Sequence, residues 1–440
     1  MGISNFPAAL QEAIQSGFLE REFQESLRSR LGYRACADRE EFAVGIGETL
    51  TKTRAGLRPA VTQPIVASQN TNLDNGLAPA NWGVEQYTLT LQHYAATSDL
   101  NVVTSRVAIA DMFLRNAATN GEQAARSLDD LARNALFAPY LGGNTRVRTT
   151  LTSAGPQVAV DDIRGFQQGW VYGVPTPVSG SVTLTVTVGG DAYTLIGVQA
   201  DATNASTAPG GISGVLTFSG NVSVADGTAG NAVVAATASP ILRPNGRATS
   251  AAIAAGDQLT MANLLDAVAT LRLNAVPEID GAYNCYLDPV SARQLFSDTA
   301  FQRLFQGATS SNQVFRQGMV NDFLGLRFVS TTEAYVQPHP TIAGAVIRRP
   351  IVVGQGALIE GQFAGMGSPE FAPHGSLVHM VDGVAMVTRE PLDRLQQIIA
   401  QSWYWIGGFC APTDTTTDPT VIPTATNAAY KRAVVIEHLG

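Results

Sequence analysis

Residues 84–103 read VEQYTLTLQHYAATSDLNVV, and residues 105–137 continue SRVAIADMFLRNAATNGEQAARSLDDLARNALF. The first stretch is extended in pattern, with little apolar content to bury. The second predicts one long helix. Ser105 suits an N-cap, Glu122 with Arg126 and Asp129 with Arg133 stand at i,i+4 spacing, and alanine is abundant. At 1.5 Å per residue such a helix is roughly 50 Å long, with Gly121 a point where it can bend.

Upstream, residues 40–59 (EEFAVGIGETLTKTRAGLRP) form a second strand-like arm, separated from the first by the polar stretch 69–83, QNTNLDNGLAPANWG. Two such arms cannot build a core of their own. At 3.3 Å per residue, each reaches about 65 Å, the length of a flap that must lie on something else. Before it, residues 7–31 predict a helix: Pro7 suits a first turn, and Leu10, Ile14, Phe18, Phe23, Leu27 and Leu31 make an apolar stripe. Gly32 reads as its C-cap, and Gly17 as a place where it divides.

Downstream, composition changes sharply. Residues 148–242 are rich in Val, Thr, Gly and Ser and alternate as SVTLTVTV (181–188) and GVLTFSGNVSV (214–224). Turn signals at Gly189-Gly190, Gly210-Gly211 and Asp226-Gly227 separate the runs, which predicts a small inserted β-domain. A mixed α/β segment follows, with helices expected near 260–272 and 289–305. Strands are expected near 283–287, 326–331, 350–360 and 376–388.

One window, GAYNCYLDPVSARQLFSDTAFQRLFQ (281–306), gathers residue types used in catalysis. Each also has a structural reading. Asp280-Gly281 is a turn, YNCYL is a buried strand with Cys285 as one more core side chain, and Asp288 caps a helix that begins at Pro289. Arg293 and Asp298 fall on its solvated side, Leu295, Phe301 and Phe305 on its apolar side. A catalytic cysteine needs a histidine partner, and none is nearby. No phosphate-binding G-x-x-x-x-G-K-[ST], no G-x-S-x-G and no H-E-x-x-H occurs. His374 and His379, with Asp382 close by, are the only clustered histidines, but positions five apart on a strand face opposite sides. Neither a cofactor nor a metal site is expected, and the chain reads as a non-enzyme.

Bulk composition points the same way. The chain has 440 residues, 45% of them apolar and only 15% charged, with a formal net charge of −8. That acidity, and the presence of just two lysines, Lys52 and Lys431, argues against a phosphate-backbone binder. So little charge suggests a surface largely covered by other copies of the chain. Three scattered cysteines form neither a metal spacing nor a disulfide framework. No signal peptide or membrane span is expected.

The order of parts resembles the major capsid proteins of tailed bacteriophages, with the Hong Kong 97-type fold, and within them the Enquatrovirus-like podovirus branch. The stretches that carry the resemblance are 84–103, GEQAARSLDDLARNAL (121–136), LGGNTRV (141–147) and VPEIDGAYNCYLDPVSARQLFSDTAFQRLF (276–305). To these are added FLGLRFVSTTEA (323–334), RRPIVVGQGALIEG (348–361) and REPLDRLQQIIAQSWYWIGGF (389–409). The resemblance implies an α+β fold with an N-terminal arm (1–40), an E-loop (41–103) and a peripheral domain with its spine helix (104–147). The insertion (148–242) and an axial domain (243–350) follow, and then a return to the peripheral domain (351–440). It further implies a subunit of pentamers and hexamers in an icosahedral virion shell around double-stranded DNA. Its partners would be portal, scaffolding and decoration proteins, with no membrane. Glu48, Lys52, Arg54 and Arg58 in the flap, with Arg293 and Asp298 in the axial domain, become candidate inter-subunit contacts. Some relatives cross-link an E-loop lysine, which Lys52 could imitate, although ion pairs explain the same residues. Two rival readings are a β-rich adhesin or S-layer-like protein, and an enzyme carrying a carbohydrate-binding insert.

Overall fold

The computed structural model describes residues 21–25, 32–42, 49–55, 64, 84–101, 109–171, 174–308, 322–323, 325–363, 376–389, 391, 394–395, 397–414 and 428–440. These belong to two compact units. The first comprises Met1–Leu50, Thr88–Ala135 and Leu358–Cys410; the second comprises Thr51–Tyr87, Leu136–Ala357 and Ala411–Gly440.

The first unit is organised around the strand Ile398–Cys410. Its side chains alternate, so that Ile399, Gln401, Trp403 and Trp405 turn inward. Along one edge it pairs with Val384–Arg389, which in turn pairs with Ser376–Val381, and further on with Leu358–Phe363, which runs parallel to Ala37–Phe42. The strand Gln92–Asn101 also pairs with it, from Asn101 opposite Ile398 to Gln92 opposite Gly407. Helix α1 (Ile109–Leu141) covers the sheet with Phe113, Ala117, Ala124 and Leu128. Asn116 donates to the Gln401 side chain at 2.7 Å, tying the helix to the strand beneath it. A side chain at Gly408 would meet the Thr90 carbonyl at 2.0 Å, so only glycine permits that approach.

The long helix is where the spacing put it, but its described bounds are shifted to Ile109–Leu141, and Ser105 lies outside the described residues. Asp129 is not a surface partner. It is buried and accepts N–H bonds from Gly32 and Arg34, both at 3.0 Å, while Arg133 pairs with Asp130 at 2.8 Å. Burial raises the Asp129 pKa, and those backbone N–H groups counter it. Residues 21–25 are helical, and the remainder of the 7–31 expectation lies outside the described residues.

The sequence reading assigned 41–103 to a flap. Among the described residues, that range holds a two-stranded sheet of Thr49–Ala55 with Val84–Thr90. Residues 92–101 belong instead to the first unit's sheet, because Tyr94 and Ala96 pack on its apolar core. Ala37–Phe42 is likewise a sheet strand, so the expected arm 1–40 includes built-in structure at its end.

In the second unit, a mixed sheet runs in the order Ile241–Leu242, Ala433–Ile436, Ile351–Val353, Tyr283–Leu287, Leu326–Ser330, Asp322–Phe323. Tyr283–Leu287 is buried at every position, the polar Asn284 included, as a strand covered on both faces requires. Helices α2 (Met261–Leu273) and α3 (Pro289–Ser297) pack Leu264, Leu271 and Leu295 against it. The helix expected over 289–305 is in fact two, α3 and then α4 (Thr299–Ala308). Asp298 is extended between them and its carboxylate accepts from Met261 N at 2.8 Å and Ala300 N at 3.1 Å, capping α2 and α4 together. The strand expected near 350–360 also divides: Ile351–Val353 and Leu358–Phe363 serve different sheets.

The insertion is a six-stranded antiparallel sheet in the order Asn144–Arg146, Ala232–Ala235, Leu184–Val188, Asp191–Ala200, Gly214–Val222, Gly155–Val160. A bridge between Val147 and Val160, with Arg148 N donating to Ala159 O at 2.8 Å and Asp161 N to Arg146 O at 3.1 Å, closes it into a barrel. Val158, Val186, Val188, Leu216, Phe218 and Val233 fill the interior. The barrel starts at Asn144, slightly before the composition shift at 148.

Candidate functional site

Folding tests the window 281–306 directly. Cys285 is fully buried, and burial pushes its thiol pKa far above the ordinary range, which keeps it protonated. Asp288 caps α3 as expected, accepting from Val290 N at 3.1 Å. The fold adds a neighbour that local sequence could not show. His438 Nε2 sits 2.7 Å from Ser291 Oγ, and Ser291 also donates to Asp288, whose other oxygen pairs with Arg348.

Serine, histidine and aspartate thus meet, but in the wrong order for nucleophilic catalysis. A catalytic triad needs the carboxylate on the imidazole and the hydroxyl facing substrate. Here the carboxylate holds the hydroxyl itself, and His438 Nδ1 lies 3.0 Å from the Leu439 carbonyl. Ser291 and His438 are both fully buried, so no substrate reaches them. The cluster fastens the final strand, His438–Leu439, to the start of α3.

This lock carries a pH dependence. Burial pushes the His438 pKa down to about 4, against an ordinary value of 6.5. The unfolded chain therefore takes up a proton that the folded chain refuses as pH falls from about 6.5 to about 4. Stability is lost across that window, by up to about 3 kcal/mol, and levels off below it. Urea midpoints measured from pH 7 to pH 4 should show this loss in the native chain and a smaller one in His438→Gln. Equal slopes in the two would refute the assignment.

The six candidate contact residues fare differently. Glu48 and Arg58 lie outside the described residues. Lys52 is half-buried on Thr49–Ala55. Arg54, on the same strand, is committed within its own chain: it lies 3.5 Å from Asp414 and donates to the Gly356 carbonyl at 3.4 Å. Arg432 holds the same Asp414 at 3.0 Å. Arg293 is exposed on α3, whereas Asp298 is the double cap described above. Free availability for a neighbour therefore does not apply to Arg54 or Asp298, whose polar groups bond within the subunit. Of the histidine cluster, His374 lies outside the described residues, and among those described no three His, Cys, Asp or Glu side chains converge on a metal position. None of the described helices is long and apolar enough to cross a membrane.

No protein-family model matches the sequence, and no curated protein matches it. Solved structures do. The capsid of Ralstonia phage GP4 superposes with a TM-score of 0.50 at 13% identity, covering 94% of this chain and 92% of that one. The chain has a phage-capsid fold. Two further capsid-fold structures align over similar lengths. The capsid of cyanophage P-SCSP1u gives a TM-score of 0.46 at 10% identity, covering 93% of this chain and 89% of its own. The head of Helicobacter pylori bacteriophage KHP40 gives 0.42 at 10% identity, covering 93% and 92%. That fold is α+β, as the order of parts implied.

Proposed function

We propose that this chain is a major capsid subunit of a tailed phage, non-enzymatic, whose copies assemble as pentamers and hexamers into an icosahedral shell around double-stranded DNA. The observation that carries this reading is the capsid fold shared along 94% of the chain. In this reading the acidic balance keeps packaged DNA off the wall. The Enquatrovirus-like affiliation rests on the sequence stretches quoted above. Portal, scaffolding and decoration proteins are the partners this role requires, and Lys52 and Arg293 the residues to test at subunit contacts.

Negative-stain microscopy of the overexpressed chain tests the proposal. Closed shells or capsomer rings are expected. Monodisperse monomers, persisting even when scaffolding protein is supplied, would sink it.

A further inference from the structure

A cavity of about 40 Å³ lies in the second unit, where the barrel meets the segments around Arg243, Gln337 and Arg349. Its lining carries four arginines, Arg146, Arg164, Arg243 and Arg349, against three carboxylates. Two of the arginines are matched one to one. Arg164 grips Asp162 at 2.6 Å, and Arg146 approaches Asp161 at 3.6 Å. The remaining two share a single carboxylate: Arg243 Nε reaches Glu437 at 2.7 Å and Arg349 Nε reaches it at 2.8 Å. One positive charge is left over in a buried setting, because the Arg349 side chain is only 3% exposed. Its Nη2 donates to Gln337, but its buried Nη1 has no hydrogen-bond partner among the described residues.

A buried, uncompensated charge is expensive, and so is a buried N–H left without an acceptor. We propose that the cavity binds one small monovalent anion, chloride in size and charge, against Arg349 and Arg243. Water could satisfy the Nη1 donor but would leave the charge. A phosphate dianion would overcorrect a single positive charge. The volume exceeds the roughly 10–15 Å³ that one water needs, which leaves room for a halide. The same arginine is bonded through Gln337 to Thr207 of the barrel, at 3.3 Å, so the anion would tie barrel and sheet together.

The test compares thermal unfolding of the intact chain in chloride and in gluconate at one ionic strength. Chloride should raise the midpoint saturably, by about 1–2 °C. The response should vanish in Arg349→Met, where the charges balance without a ligand. An equal midpoint in the two salts, or a response that survives the substitution, would overturn the proposal. Should that variant fail to fold, bromide-soaked crystals of the native chain decide. Anomalous density within hydrogen-bond reach of Arg349 Nη1 supports the site, and water there refutes it.

Discussion

Arg34→Met should destabilise the first unit by about 3–5 kcal/mol, more than any other single substitution considered above. Arg34 and Glu360 are both fully buried and 326 positions apart. Arg34 Nε contacts both carboxylate oxygens, at 3.0 and 3.1 Å, and Nη2 also donates to the Asp382 carbonyl at 3.0 Å. Removing the guanidinium strands a carboxylate whose other close contacts are Gln362 at 2.8 Å and Arg39 at 3.6 Å. The cost is mostly that of the stranded charge, so removing both charges should recover most of the loss. Urea unfolding followed by fluorescence of Trp403 and Trp405, which lie in the same core, reads this unit directly. Replacing Trp82 and Trp170 with Phe removes the other indoles. A loss under about 1 kcal/mol in Arg34→Met, or no recovery in Arg34→Met/Glu360→Met, would show that the pair is not what fixes residues 32–42 to the sheet.

Deleting residues 56–83 and joining the hairpin by a short turn should abolish shells while leaving a folded, soluble subunit. Arg54, near the end of its strand that leads into the deleted segment, is held by Gly356 and Asp414, and Leu89 is fully buried, so both flanks stay outside the deletion. The loop-closure cost of shortening such a segment is small and favourable. Size-exclusion chromatography, circular dichroism and electron microscopy together check the outcome. Loss of the folded subunit would mean that the segment serves the core of its own chain, and intact shells would mean that assembly does not use it.

What was legible in sequence was local. YNCYL as a buried strand, Asp288 before Pro289 as a helix start and the alternation of 181–188 each depend on neighbours a few residues away. What was not legible depends on distant partners. The helix over 289–305 breaks because Asp298 caps Met261, 37 positions back. Asp129 faces inward because Gly32 and Arg34 present N–H groups that lie 97 and 95 positions away. Ser291 met His438 across 147 positions, and no spacing within the window could announce it. The strand over 350–360 failed for a different reason: residues 351–363 are apolar enough to read as one run, and Gly354 with Gly356 mark where it changes sheet. Of the candidate contacts, charge type was visible, but whether a charge was already spoken for inside the subunit was not.

The barrel enters and leaves on paired strands: Arg146 stands opposite Ala232, and Asn144 opposite Val234. Partners across antiparallel strands lie about 5 Å apart, so the rest of the chain meets nearly the same two anchor points whether or not some 85 residues intervene. The module is therefore a closed excursion of the chain, which departs and returns at two adjacent points.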